Sequence, residues 1–252
     1  MEPWVAKPRT NGWWQKRERE CQRSLRTLHR TPPYKAIISR ADRDALERLV
    51  DDLAIKYDTL PAAAGPEPDV AVFAKLCSKR TGAAAHPGMR QRLFEARRVL
   101  PPPRPPGSLR VAQDADLPTV GRWATAFFEE ARLDDPANPL DVARERIREG
   151  SIFIWQDAQQ VSMAGWAGRT DRTVRVNFVY TPPEYRRRGY ASACVAELTQ
   201  QLLQEGLVFC TLYTDLANPT SNKIYQTIGY CAVCDMTDFH FRPANHALEP
   251  SR

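Results

Sequence analysis

The run Arg186-Arg187-Arg188-Gly189-Tyr190-Ala191 sets three guanidinium groups beside a glycine and a small residue. It directly follows an apolar stretch, Val174–Tyr180, and the turn Thr181-Pro182-Pro183. Guanidinium groups bind phosphate oxygens in pairs at fixed geometry. Gly189 permits a left-handed backbone and the close approach of a ligand. Ala191 keeps the first turn of a following helix open. A loop at a helix N-terminus leaves N–H groups unpaired, and the helix dipole favours negative charge there. The order strand, turn, Arg-x-x-Gly-x-Ala, helix predicts a phosphate cradle rather than a plain basic turn. A second group with chemistry in reach is the phenol of Tyr225. It lies on a segment that opens at Asn218-Pro219 and closes at Gly229-Tyr230. A phenol stays protonated at neutral pH, with an ordinary pKa of about 10, and can give a proton to a basic leaving group. On the residues alone, a helix tyrosine packed against Ile228 or capping the core is the better reading. Asn218-Pro219 likewise reads as a plain helix start.

These groups need elements to hold them. Val174 to Tyr180 predicts a strand, and Ala191 to Gln204 a helix with Cys194, Val195, Leu198 and Leu202 on one face and Gly206 past its end. Val208 to Tyr213 predicts a strand, Pro219 onward a helix, and Tyr230 to Phe241 the closing strands. Upstream, Ser108 to Ala112 starts a strand. Ala115 to Glu130 recurs in apolar residues at three- and four-residue steps, and Leu140 to Glu149 reads as a charged helix. Ser151–Trp155 and Val161–Trp166 form a hairpin around a turn near Asp157 to Gln160. From Ser108 the expected order is β-α-α-β-β-β-α-β-α-β-β.

The two segments resemble the GNAT N-acetyltransferase superfamily. Arg186, Gly189 and Ala191 match its acyl-CoA loop, Gln/Arg-x-x-Gly-x-Gly/Ala, and Asn218 to Tyr230 is similar to its next strand-to-helix unit. The resemblance covers roughly Ser108 to Phe241. It implies an α/β fold with a central mixed sheet flanked by helices, and acyl transfer from acetyl-CoA without a metal. The loop Arg186, Arg187, Arg188, Gly189, Tyr190 and Ala191 would hold the pyrophosphate. The backbone of Phe178, Val179 and Tyr180 would pair with the pantetheine arm, as an added strand pairs with a sheet edge. Asn218 would cap its helix and touch the cofactor. Tyr225 would protonate the departing thiolate. A general base is not identifiable, with Glu129, Glu130, Asp215 and His240 as candidates beside a relayed water. The acceptor implied is a small-molecule primary amine. The alternatives are a protein or peptide amine, or a non-catalytic acyl-CoA- or partner-binding module.

Composition sets the frame. The 252 residues carry 42% hydrophobic residues, which supports a folded core, and a net charge of +6. The basic excess sits before Pro32 and in the Arg186–Arg188 loop. A local excess suffices for a phosphate-bearing cofactor. Trp4, Trp13 and Trp14 among basic residues lack any nucleic-acid binding motif to frame them. The N-terminal residues lack a signal peptide's apolar stretch, and no apolar run is long enough to span a bilayer. The expectation is a cytoplasmic protein without a membrane partner, its oligomeric state undetermined. Six cysteines are too few for a disulfide scaffold. Cys231-Ala-Val-Cys234 reads as strand with buried thiols rather than a zinc site. The proline run at 101–107 predicts a semi-rigid linker. The expected division is a basic arm at 1–30, a small α/β region at 31–100, the linker at 101–107, and a GNAT-like domain at 108–252. In the second region Tyr34–Ser39 suggests a strand, Arg43–Ala54 and Pro68–Thr81 helices, and Met89–Val99 a strand or short helix. Thr31-Pro-Pro-Tyr echoes Thr181-Pro-Pro-Glu-Tyr, which suggests a degenerate GNAT-like half without a cofactor loop.

Overall fold

Asp42 is extended and its side chain accepts a hydrogen bond from the Ala45 N–H at 2.9 Å, so a helix begins at Arg43. Its buried residues, Leu46, Val50 and Leu53, recur at three- and four-residue steps. A computed structural model describes residues 28–29, 35–57, 59–131 and 137–243. The basic arm expected at 1–30 lies almost wholly outside the described residues, as does Thr31-Pro-Pro-Tyr34. In order, the elements are β1 (Leu28–His29), β2 (Ala36–Ile38), α1 (Arg43–Lys56), β3 (Ala62–Pro66), α2 (Asp69–Thr81) and β4 (Ala84–Ala96). Then come β5 (Ser108–Val111), α3 (Leu117–Glu130), α4 (Pro139–Arg148), β6 (Ile152–Asp157), β7 (Gln159–Ala167) and β8 (Thr173–Tyr180). The chain continues with α5 (Tyr190–Gln204), β9 (Phe209–Asp215), α6 (Pro219–Thr227) and β10 (Cys231–Arg242).

The described residues form two units. One takes the residues up to Met89 together with those from Met236 on. In it β1 and β2 pair antiparallel, β2 and β3 parallel, and β3 and the Met236–His240 part of β10 antiparallel. Ile38, Leu46, Val50, Ala63, Val70 and Phe73 make its core with α1 and α2. Gly65 sits where a Cβ would come within 2.4 Å of Ile38 Cγ1, so β2 and β3 pack at a distance only glycine allows. β3, Ala-Ala-Ala-Gly-Pro, is absent from the sequence expectation because small residues carry little strand signal.

The other unit is Arg90–Asp235. Its strands follow the order β4-β9-β8-β7-β6-β5. Only β8 and β9 run parallel; the other neighbours are antiparallel. Residues of α3 and α4 pack with Ile152, Ile154, Met163, Phe178 and Tyr180 in one core. Residues of α5 and α6 pack with Phe94, Val174, Val176, Cys210 and Leu212 in another. The mixed sheet between helical layers is the expected fold class.

Three expectations change. The proline segment is packed within this unit: Pro106 O accepts from Trp155 Nε1 at 2.8 Å, Leu100 N donates to Ile228 O at 3.0 Å, and Arg104 pairs with Glu197. An extended proline run keeps every carbonyl free to accept, which is what docks it. The unit also begins at Arg90 rather than Ser108, because Gln91–Ala96 of β4 pair with β9. And 231–242 is one strand rather than several, since it holds no glycine, proline or asparagine to turn the chain. Cys231 there is exposed and Cys234 half-buried, so the expected burial of these thiols does not hold.

Candidate active site

β8 carries the decisive irregularity. Val174, Val176, Phe178 and Tyr180 alternate, so a regular strand would place all four on one face. Instead Val174 and Val176 pack in the α5 and α6 core, and Phe178 and Tyr180 in the α3 and α4 core. The register gives the reason. Met163 pairs with Tyr180 and Gly165 with Asn177, two steps on β7 against three on β8. The extra residue is a β-bulge, and Phe178 lies in the left-handed region at φ 54°. Such a conformation costs a non-glycine residue about 1–3 kcal/mol and persists only where its surroundings hold it. Phe127 and Phe128 do so, with ring centroids 5.2 and 5.8 Å from Phe178.

The bulge coincides with the end of a ladder. β8 pairs with β9 at Thr173, Val174 and Arg175 and no further. Val176–Tyr180 therefore run on past the last pairing with β9. A backbone edge left this way needs partners, and an extended amide-bearing chain supplies them. Phe178, Val179 and Tyr180 all lie on that edge.

The loop beyond β8 turns through a short helical stretch, Pro183–Tyr185, and Gly189 starts α5 at φ 84°. Nothing lies within 4 Å of where a Gly189 Cβ would stand. The space in front of this helix start is open, and an acyl-CoA pyrophosphate fits the loop in shape and charge. The three arginines have different roles. Arg186 gives one N–H to Thr181 O and two bonds to Glu130, at 2.7 and 2.8 Å, and stacks on Tyr180. Its guanidinium braces the loop to the end of α3, and Glu130 is bound rather than free to act as a base. Arg187 lies in the left-handed region, and Arg188 stacks on Tyr185. Tyr190 is buried and donates to Asp157, which, with burial, raises its pKa. Ala191, in the first turn of α5, is half-buried.

Asn218 performs the cap: its side chain accepts from Ser221 N at 3.0 Å. Sequence reasoning missed Asn222, one turn on, which donates to Asp215 O and Asn218 O and accepts from Thr214. It ties the end of β9 to the start of α6. Its i, i+4 spacing from Asn218 was the available signal. The Tyr225 ring is buried edge-on to Tyr230, with centroids 6.1 Å apart. Burial raises its pKa above the ordinary phenol value. Its hydroxyl makes no hydrogen bond among the described residues and is not one of the sealed, unpartnered oxygens. It is therefore a proton donor without a resident acceptor. Of the other base candidates, Asp215 accepts from Ala217 N, and His240 belongs to the first unit.

Residues 117–230 match the model of the acetyltransferase (GNAT) family. Over that stretch the chain is similar to the GNAT acetyltransferases. The family's chemistry is acyl-CoA-dependent N-acetyl transfer, and the match indicates that class of reaction for residues 117–230. Solved structures agree in fold. A GCN5-related N-acetyltransferase from Kribbella flavida superposes with a TM-score of 0.60 at 17% identity, covering 82% of this chain and 80% of that one. An acetyltransferase of the GNAT family from Colwellia psychrerythraea gives 0.55 at 13% identity, over 78% and 72%. A GCN5-related N-acetyltransferase from Sphaerobacter thermophilus gives 0.56 at 11%, over 84% and 74%. The likeness extends well beyond residues 117–230, so the fold shared with these proteins includes regions outside the GNAT match. Among the described residues no cluster of His, Cys, Asp or Glu could hold a metal ion, and no helix is long and apolar enough to cross a membrane.

Proposed function

We propose that the chain transfers the acetyl group of acetyl-CoA to the primary amine of a small molecule by direct attack, with Tyr225 as general acid. The observation that carries this is the coincidence of the Phe178 bulge, the end of the β8–β9 ladder and the open helix start at Gly189. Together they give an extended thioester a sheet edge to pair with and its pyrophosphate a cradle. Arg187, Arg188 and the N–H groups at the start of α5 bind the pyrophosphate, while Arg186 shapes the loop. The amine nitrogen bonds to the thioester carbonyl carbon, and the C–S bond breaks. The leaving thiolate takes the Tyr225 proton, and the amine loses its own to water.

Gly189→Asp tests the cradle. It puts a carboxylate and a strained backbone at φ 84° where pyrophosphate would lie. Calorimetry on the folded variant is expected to find no acetyl-CoA binding; unchanged affinity would remove the loop from the site. A thiol-release assay with acetyl-CoA against a panel of amines then tests transfer itself.

A further inference from the structure

Thr181 stands ahead of Pro182-Pro183, at the joint between β8 and the Arg186–Ala191 loop, and the bond changes of acyl transfer give it no part. The strand end it closes is thinly held. From α4, Arg146 stacks on Phe178 at 5.6 Å and donates to the Trp166 carbonyl of β7, so the bulge itself is braced. Beyond the bulge, β8 pairs with β7 at Met163 and Tyr180 alone, and its pairing with β9 has already ended at Arg175. A strand end with so few ladder bonds opens at little cost unless side chains hold it.

Two hydroxyls do so. Ser162, on β7, is wholly buried, and its Oγ donates to Tyr180 O at 3.2 Å. The same Oγ lies 2.8 Å from Thr181 Oγ1. A carbonyl only accepts, so the one Ser162 proton lies on Tyr180 O and Thr181 is the donor in the shorter bond. The Thr181 carbonyl has a different partner. It accepts from Arg186 Nε at 2.8 Å, and Arg186 holds Glu130 at the end of α3. Pro182, itself buried, confines Thr181 to extended backbone. One residue thus joins the edge Phe178–Tyr180, through its hydroxyl, to the Arg186–Ala191 loop, through its carbonyl.

We propose that Ser162 and Thr181 are positioning residues for acyl-CoA. They fix the edge that would pair with the pantetheine arm at a set distance from the loop that would hold the pyrophosphate. Both parts of one ligand then meet their partners together. Neither hydroxyl takes part in the bond changes. Ser162 is sealed behind the strand and acts on the ligand only through Tyr180 and Thr181. The arm and the pyrophosphate belong to CoA, so the effect falls on CoA and acetyl-CoA alike and not on the acceptor. This rests on the acetyl-transfer reading and deepens it.

The test is calorimetry on the full chain with CoA and with acetyl-CoA, beside kinetics on an amine from the thiol-release panel. Ser162→Ala and Thr181→Val are each expected to weaken both ligands about three- to tenfold, the scale of one neutral hydrogen bond. Thr181→Ser keeps the hydroxyl and should bind as wild type does. The double variant should bind no more weakly than Ser162→Ala, which already removes both bonds. In kinetics the loss should appear in the KM for acetyl-CoA, with kcat at saturation and the acceptor KM unmoved. A pair that serves stability alone would lower the melting temperature and leave CoA affinity as it was. Ser162 is wholly buried, so if its variant does not fold, Thr181→Val against Thr181→Ser decides, at a half-buried turn position. Unchanged CoA affinity in Thr181→Val, or losses that add in the double variant, would overturn the positioning role while leaving acetyl transfer standing. Failure of the wild type to bind CoA would overturn the transfer reading, and this role with it.

Discussion

Tyr225→Phe keeps the ring against Tyr230 and removes the one proton the side chain can give. If that proton goes to the departing thiolate, kcat falls roughly ten- to a thousandfold, near the usual loss for a missing acid catalyst. Acetyl-CoA affinity and the melting temperature change little, because loop, edge and ring packing are intact. Turnover at the wild-type rate would leave Tyr225 as packing alone. The raised pKa adds a sign. A phenol above its ordinary value of about 10 stays protonated across the whole assay range, so loss of this acid cannot produce an alkaline fall in kcat below about pH 10. A phenol this weak gives up its proton readily only to a thiolate in equally apolar surroundings, which raise the thiol's proton affinity as well. The place of the Arg/Gly loop at a helix start and of Asn218 at a cap was legible because both depend on residue type and order. The partial burial of Arg146 was not, because nothing in Arg-Glu-Arg146-Ile-Arg on a charged helix marks which guanidinium loses its water. Nor was the committed state of Arg186, whose partner Glu130 lies far away in the chain.

At the scale of elements, Arg186 and Glu130 join the loop to the end of α3. Reversing both, Arg186→Glu with Glu130→Arg, separates a brace from a phosphate ligand. Each single change is expected to weaken acetyl-CoA binding about tenfold or more, and the double change to recover most of it. No recovery would mean that Arg186 contacts the pyrophosphate itself. The start of α3 has its own charge device. The buried Asp116 carboxylate takes two bonds from Arg110 and one each from Gln113 N and Gln160. Arg110 above all holds its pKa at about 2, below the ordinary carboxylate value. A depressed folded-state pKa stabilises the fold above the unfolded value, and that contribution is lost as pH falls from about 4 to about 2. Asp116→Asn is expected to cost about 2 kcal/mol at neutral pH and to flatten acid unfolding in that window, as read by chemical denaturation at several pH values. Helices were read correctly because their apolar steps match their buried faces. β8 was read correctly as a strand, but its change of face was not legible, because its period of two is true of the sequence and not of the backbone. The bulge at Phe178 reverses the inward face halfway along, and only tertiary packing shows it.

For the whole molecule, composition suggested a self-contained domain from Ser108, yet the Arg90–Asp235 unit begins 18 residues earlier. The reason is β4. Leu93 pairs with Tyr213 and Ala96 with Cys210, while Phe94 and Ala96 are wholly buried in the core under α5 and α6. A strand of mixed charge such as Met-Arg-Gln-Arg-Leu-Phe-Glu-Ala carries no sign of which sheet it will join, and the prolines after it look like a stop. They are a docked connection instead, held by Trp155 and Ile228. A fragment begun at Ser108 therefore loses the partner of β9 and opens the core at Leu212. Loss of the Phe94 ring alone is worth about 3–5 kcal/mol, a large part of the 5–15 kcal/mol that holds an ordinary domain together. A fragment begun at Arg90 keeps that strand. It is expected to melt in one cooperative step and to bind acetyl-CoA, whereas the Ser108 fragment should melt broadly and expose apolar surface to a fluorescent dye. Matching melts for the two fragments would mean that β4 is dispensable and that the proline run does mark a domain border.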